Sequence, residues 1–232
     1  MTKLRLLVHV EGQTELSFVN RLLGEHLAPG YSFVRARLAG NPRMQRGGIR
    51  PWQGVKRDIL RHLKEDRAMI VTTMVDYYGL PQDWPGRANA PSMNSASKKA
   101  EHVEAALLAD IVEEMGARFD PRRFVPLVVM HEFEALLFSD PDQFAQGIGR
   151  GDLAGELHRI RQAFPSPEEI DDAPENAPSK RIERILPGFN KVRSGVDAAN
   201  AIGLATIRQE CHHFNGWLDR LESLPEVFSS RS

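Results

Sequence analysis

Apolar residues recur along the first part of the chain in two alternating textures. Leu4–Val10 is an apolar-rich run with His9 as its one odd member, and Tyr31–Leu38 alternates with a two-residue period. Ala68–Val75 is apolar and β-branched, and Phe124–Met130 repeats that character. Between these runs, residues at about 14–27, 53–66 and 99–116 carry Leu, Ile or Val at three- and four-residue spacings, which predicts amphipathic helices. Strands alternating with helices of this length predict βαβ units and an α/β fold with a mainly parallel, Rossmann-like sheet flanked by helices. Met69–Val75 is apolar on both faces, as expected of a strand covered by helices on both sides.

The texture changes near residue 150. No further strand run follows, and Pro165, Pro167, Pro174, Pro178 and Pro187 interrupt the chain. An acidic stretch holds Glu168, Glu169, Asp171, Asp172 and Glu175. The division expected is an α/β domain over 1–150 and a helical C-terminal appendage over 151–232, with a last helix at about 204–223. That appendage is predicted to pack on the α/β domain through Trp217, Leu218 and Leu221. The loop 77–98 is rich in Pro, Gly, Asn and Ser, and loops this long are more often functional or mobile than passive.

Composition narrows the function classes. With 41% hydrophobic residues, 26% charged residues and a net charge of −1 over 232 residues, the chain is set to build a real core. A near-neutral total argues against a protein that coats DNA through its whole surface. One cysteine, Cys211, forms no intramolecular disulfide and no four-cysteine zinc site. No apolar run is long enough to span a bilayer, and the apolar start runs directly into Glu11 rather than forming a signal peptide, so a cytoplasmic protein is expected. Charge is unevenly spread: residues 35–67 hold ten Lys or Arg against Asp58, Glu65 and Asp66. Arg57, Arg61 and Lys64 are either a solvated helix face or a binding surface. Arg43, Arg46 and Arg50 sit among glycines and a proline, which suits a phosphate-gripping loop. A second basic cluster holds Lys180, Arg181, Arg184, Lys191 and Arg193, and Lys180 and Arg181 are further candidates for substrate phosphates.

Three acidic segments follow predicted strands. Val10-Glu11-Gly12-Gln13-Thr14-Glu15 follows the first, and ligands of parallel α/β sheets bind at such carboxyl ends. Glu11 is an unusual helix cap, whereas Glu15 is either a first-turn acid complementing the helix dipole or a further cation ligand. Val75-Asp76-Tyr77-Tyr78-Gly79-Leu80-Pro81 follows the most apolar strand. Strands about 4.8 Å apart let Glu11 and Asp76 share a hard cation such as Mg²⁺. His131-Glu132-Phe133-Glu134 follows the fourth strand; Glu132 or Glu134 would complete the carboxylate set, with His131 as ligand or proton carrier. It lacks the second histidine of the zinc-protease pattern. Gly147–Gly151 lacks a Walker lysine, Cys211-His212-His213 reads as structural within a helix, and no Gly-x-Ser-x-Gly elbow is present.

Acidic strand ends beginning with Glu-Gly resemble the Toprim fold shared by topoisomerases, primases and OLD-type nucleases. More specifically, Val10–Glu15, Val75–Pro81 and His131–Phe138 together look like a bacterial Toprim-like family of unknown function. Ala177–Ile182 and Cys211–Leu218 also resemble it, so the likeness covers nearly the whole chain. The resemblance implies a Mg²⁺ (or Mn²⁺) site built on Glu11 and Asp76, and an AAA- or ABC-type ATPase partner in antiphage defence loci. The second aspartate of the Toprim Asp-x-Asp is missing, because Asp76 is followed by Tyr77-Tyr78; Glu132 or Glu134 would substitute for it. The activity expected is a nuclease cutting DNA or RNA. The alternative is a non-catalytic Toprim-like module that binds the ATPase or nucleic acid.

Overall fold

The computed structural model describes residues 3–39, 49–170 and 174–230. Strand β1 (Arg5–Val10) leads into α1 (Gln13–Phe18), which passes through a π-helical turn (Val19–Leu23) into α2 (Gly24–Leu27). Then come β2 (Phe33–Leu38), α3 (Trp52–Glu65), β3 (Met69–Asp76) and α4 (Ala96–Met115). The expected strand 124–130 is two short pieces, β4 (Phe124–Val125) and β5 (Val128–Val129). All pairings are parallel, in the order β2-β1-β3-β4, with β5 continuing on β3 beyond β4. The chain is therefore α/β, with a parallel sheet between helices.

The break in the last strand has a local cause. Pro126 has no N–H to give the ladder. Thr73 on β3 bridges the gap instead: its hydroxyl meets the Leu127 carbonyl at 3.0 Å and the Leu127 N–H at 3.1 Å. Its neighbour Thr72 donates to the Val125 carbonyl and accepts the Trp217 indole N–H at 2.8 Å. Two buried threonines in the central strand thus bond the carbonyls on either side of Pro126.

Strand alternation divides the core into two layers. Leu6, Val8, Val10, Ile70 and Met74 face α1 and the C-terminal helices, while Val71 and Val75 face α3 and α4. The C-terminal helices are α5 (Pro141–Gly147), α6 (Ala154–Gln162), α7 (Pro178–Ile185), α8 (Val196–Ile202), α9 (Leu204–Glu210) and α10 (His212–Ser229). Trp217, Leu218 and Leu221 are fully buried on α10 as expected, and they share one cluster with Leu6 and Val8. Residues 151–230 are thus one cover of the sheet rather than a body with its own core. The single last helix expected at 204–223 is broken at Cys211, between α9 and α10. There Glu168 accepts the His213 and Phe214 N–H groups, both at 2.9 Å, capping α10 from a distance. The buried Cys211 thiol contacts Ser139, and His213 bonds Glu104 at 2.8 Å, which are structural roles.

The loop after β3 is packed. Trp84 is buried against Trp52 with ring centroids 4.9 Å apart, and its indole donates to the Arg50 carbonyl at 2.8 Å. Among the described residues no helix is long and apolar enough to cross a membrane.

His9, on the α3 side of β1, is wholly buried, and among the described residues neither ring nitrogen has a hydrogen-bond partner. Burial first, then the nearby His62, Arg37 and Arg61, lowers its pKa from 6.5 to about 3. The unfolded chain therefore binds a proton that the folded chain rejects, so this site's stability is complete above pH 6.5 and is lost as pH falls toward 3. The loss at the acid end is on the order of 5 kcal/mol. Urea titrations across this range should show a shallower acid slope for His9→Leu than for the parent chain; equal slopes would remove His9 as a determinant of acid sensitivity.

Candidate functional site

The carboxyl ends of β1, β3 and β5 deliver the acidic residues to one end of the sheet. Glu11 follows β1 directly, Asp76 ends β3, and Glu132 lies three residues beyond β5. His131 makes the last placement possible. Its φ of 64° lies in the left-handed region, which non-glycine residues rarely adopt, and this turns the chain out of the sheet. A buried 3-10 segment (Phe133–Ser139) follows and carries Glu134. The His131 ring packs against Tyr78, with centroids 5.2 Å apart. His131, expected from the sequence as a ligand or proton carrier, thus sets backbone direction and packs on Tyr78.

Each of five carboxylates has its own donor. Glu11 Oε2 accepts the Asp76 N–H at 3.3 Å, and Asp76 Oδ1 accepts the Phe133 N–H at 2.9 Å. Glu15 reaches back from the first turn of α1 to the Gly12 N–H at 2.9 Å. Glu132 Oε2 accepts the Ser179 N–H at the start of α7, also at 2.9 Å. Glu134 Oε1 lies 3.3 Å from the Lys191 ammonium, which is 3.9 Å from Glu132 Oε1. Glu15 therefore does the capping work expected of a first-turn acid while also belonging to the cluster.

Proximity and burial perturb these groups together. Burial raises Asp76 well above the usual carboxylate range, and Glu15, Glu11, Glu134 and Glu132 push it further. Burial likewise raises Glu11 and Glu15. Glu134 is pushed up to about 7, chiefly by burial, with Lys191 pulling the other way. Perturbed carboxyls gathered at one end of a parallel sheet mark a candidate functional site.

The donor set suits a hard divalent cation, because it is all oxygen and negatively charged apart from Lys191. A glycine cradle supports this. A Cβ at Gly79 would lie 2.6 Å from both Glu11 oxygens, so the carboxylate rests against bare backbone. The side chains do not form a closed ligand shell: among the described residues no three His, Cys, Asp or Glu meet as a ready metal group. The five acids are turned to separate donors, and cation binding would require some of them to rotate.

Of the expected substrate-binding residues, Arg50, Lys180 and Arg181 are among those described. Arg43 and Arg46 lie outside the described residues. Arg50 precedes α3, whose start lies at the same end of the sheet as the carboxylates. Lys180 pairs with Glu183 at 3.0 Å, and Arg181 lies over the Phe164 ring while donating to the Asn176 carbonyl at 2.8 Å. Lys191, Ser179 and Gly79 are the site's unforeseen members. Gly79 was visible within the acidic segment, but nothing in the sequence pairs Lys191 with Glu134. A cavity of about 760 Å³ between α4 and α10, lined in part by Leu108, Phe124 and Leu224, touches none of the five carboxylates.

Fold and site define an α/β protein with a cluster of carboxylates at the carboxyl end of a parallel sheet. The chain belongs to the family described as Domain of unknown function (DUF4276), which matches residues 10–222 and so takes in all five acids and Lys191. Comparison with curated proteins and with solved structures gives no match.

Gly79→Ala should drive its methyl group into Glu11 and cost about 1–3 kcal/mol of stability, as overpacking does. A urea midpoint equal to that of the parent chain would show that Glu11 does not depend on this cradle.

Proposed function

We propose that this chain is a Mg²⁺- or Mn²⁺-dependent phosphodiesterase acting on DNA or RNA. The observation that carries the reading is the gathering of Glu11, Glu15, Asp76, Glu132 and Glu134 at the carboxyl ends of parallel strands, with Lys191 beside them. The resemblance of the three acidic segments to Toprim nucleases supports the same chemistry. Glu11 and Asp76 would hold the cation, with Glu134 or Glu132 in the place of the missing second aspartate. When bound, the cation supplies activation of a water and neutralises charge developing on the phosphate. The chain's own residues fix the site: Gly79 seats Glu11, and the Phe133 N–H orients Asp76. Arg50 and Lys180 are proposed phosphate contacts, and the expected ATPase would act as the regulating partner.

Asp76→Asn keeps the acceptor for the Phe133 N–H and removes one charge. Cleavage of single- and double-stranded DNA and of RNA should require Mg²⁺ or Mn²⁺, and it should fall at least ~100-fold in this variant. Nucleic-acid binding without cleavage under every cation would favour the non-catalytic module. In chelator, the same variant should unfold at a higher temperature than the parent chain, because repulsion at a functional site opposes stability. A lower unfolding temperature would mean that Asp76 serves the fold rather than a cation.

A further inference from the structure

We propose that Lys191 is a built-in counter-ion which a divalent cation must displace, so that the π-helical turn carrying it (Lys191–Gly195) senses whether the site is loaded. The inference rests on the cation-site reading above and deepens it. Lys191 comes from the C-terminal part of the chain, yet its ammonium lies 3.3 Å from Glu134 and 3.9 Å from Glu132. It also acts electrostatically on Asp76, Glu11 and Glu15. The other acids are bound to backbone N–H groups, which cannot leave. Lys191 is the mobile partner, since its side chain keeps 46% of its surface exposed on a flexible stem. An ammonium and a divalent cation cannot both occupy the face of Glu134 without repulsion, so their binding is competitive.

The turn is built to register such a change. Asn190 caps it by accepting the Arg193 N–H at 3.0 Å, and Gly195 at its end packs near Thr14, Leu137 and Phe133. Those three residues lie on α1 and on the 3-10 segment that also carries Glu134. Releasing Lys191 therefore frees one end of a segment whose other end is fixed against the elements bearing Glu15 and Glu134. Arg193, two residues further on and exposed, makes no ion pair with the cluster among the described contacts.

Calorimetric titration with Mg²⁺ and with Mn²⁺, and thermal unfolding with and without them, test the proposal on the full chain. Lys191→Met should bind either cation roughly fivefold or more tightly than the parent chain, a normal size for coupled binding. In chelator it should unfold about 2–4 °C lower, and saturating Mg²⁺ should abolish that deficit. Lys191→Arg should restore the parental behaviour, and Arg193→Met should leave affinity unchanged. Equal cation affinity in the parent and Lys191→Met would overturn the displacement while leaving the cation site intact. Equal tightening by Arg193→Met would also overturn it, since any nearby charge would then act alike. Absence of cation binding in every variant would overturn both this inference and the proposed function.

Discussion

Repulsion among carboxyl groups at the ends of adjacent parallel strands is the constraint around which this protein is arranged. Neighbouring strands are about 4.8 Å apart, so acids ending β1 and β3 are forced together as soon as the sheet forms. The fold answers with donors rather than dispersal. Four of the five acids take a backbone N–H, and Lys191 faces the fifth. Gly12 and Gly79 keep side-chain atoms out of the way; the added Cβ would sit 3.0 Å from Glu15 and 2.6 Å from Glu11. Burial then raises the carboxyl pKa values of Glu11, Glu15 and Asp76.

The C-terminal helices follow from the same requirement. The start of α7 supplies the Ser179 N–H to Glu132, and the turn before α8 supplies Lys191. The start of α7 packs on the 3-10 segment that carries Glu134 and the turn packs on α1 and α8, while α10 closes the sheet face through Trp217, whose indole reaches Thr72 in the central strand. A cover that merely buried the sheet would need neither contact. Here the packing layer and the electrostatic frame of the carboxylates are one structure: among the described residues, apolar side chains after residue 150 share one cluster with those of the sheet.

Much of this was legible in the chain. The periodicities located the sheet and its helices, and Glu11, Asp76 and the Glu132/Glu134 pair were visible because each follows an apolar run. Local pattern was blind to what depends on distant partners. Lys191 read as one member of a basic cluster, since Glu134 lies far away in sequence. The segment after residue 150 read as an appendage because it lacks strands, although its apolar residues complete the central core. Pro126 was passed over within an apolar run, because the threonines that bridge its missing bond belong to another strand. The loop after β3 has the composition of a mobile segment, yet it is tied down by the stacking of Trp84 on Trp52, the Trp84 indole bond to the Arg50 carbonyl and the Trp52 N–H bond to Asp83.

The acids that end β1 and β3, Glu11 and Asp76, are proposed to hold a divalent cation. Anomalous diffraction from crystals of the full chain grown in Mn²⁺ tests it most directly, because manganese is located independently of any activity. A peak in contact with Glu11 and Asp76 is expected, with the Lys191 ammonium withdrawn from Glu134. A peak elsewhere, or none at saturating Mn²⁺ with Lys191 still against Glu134, would contradict it.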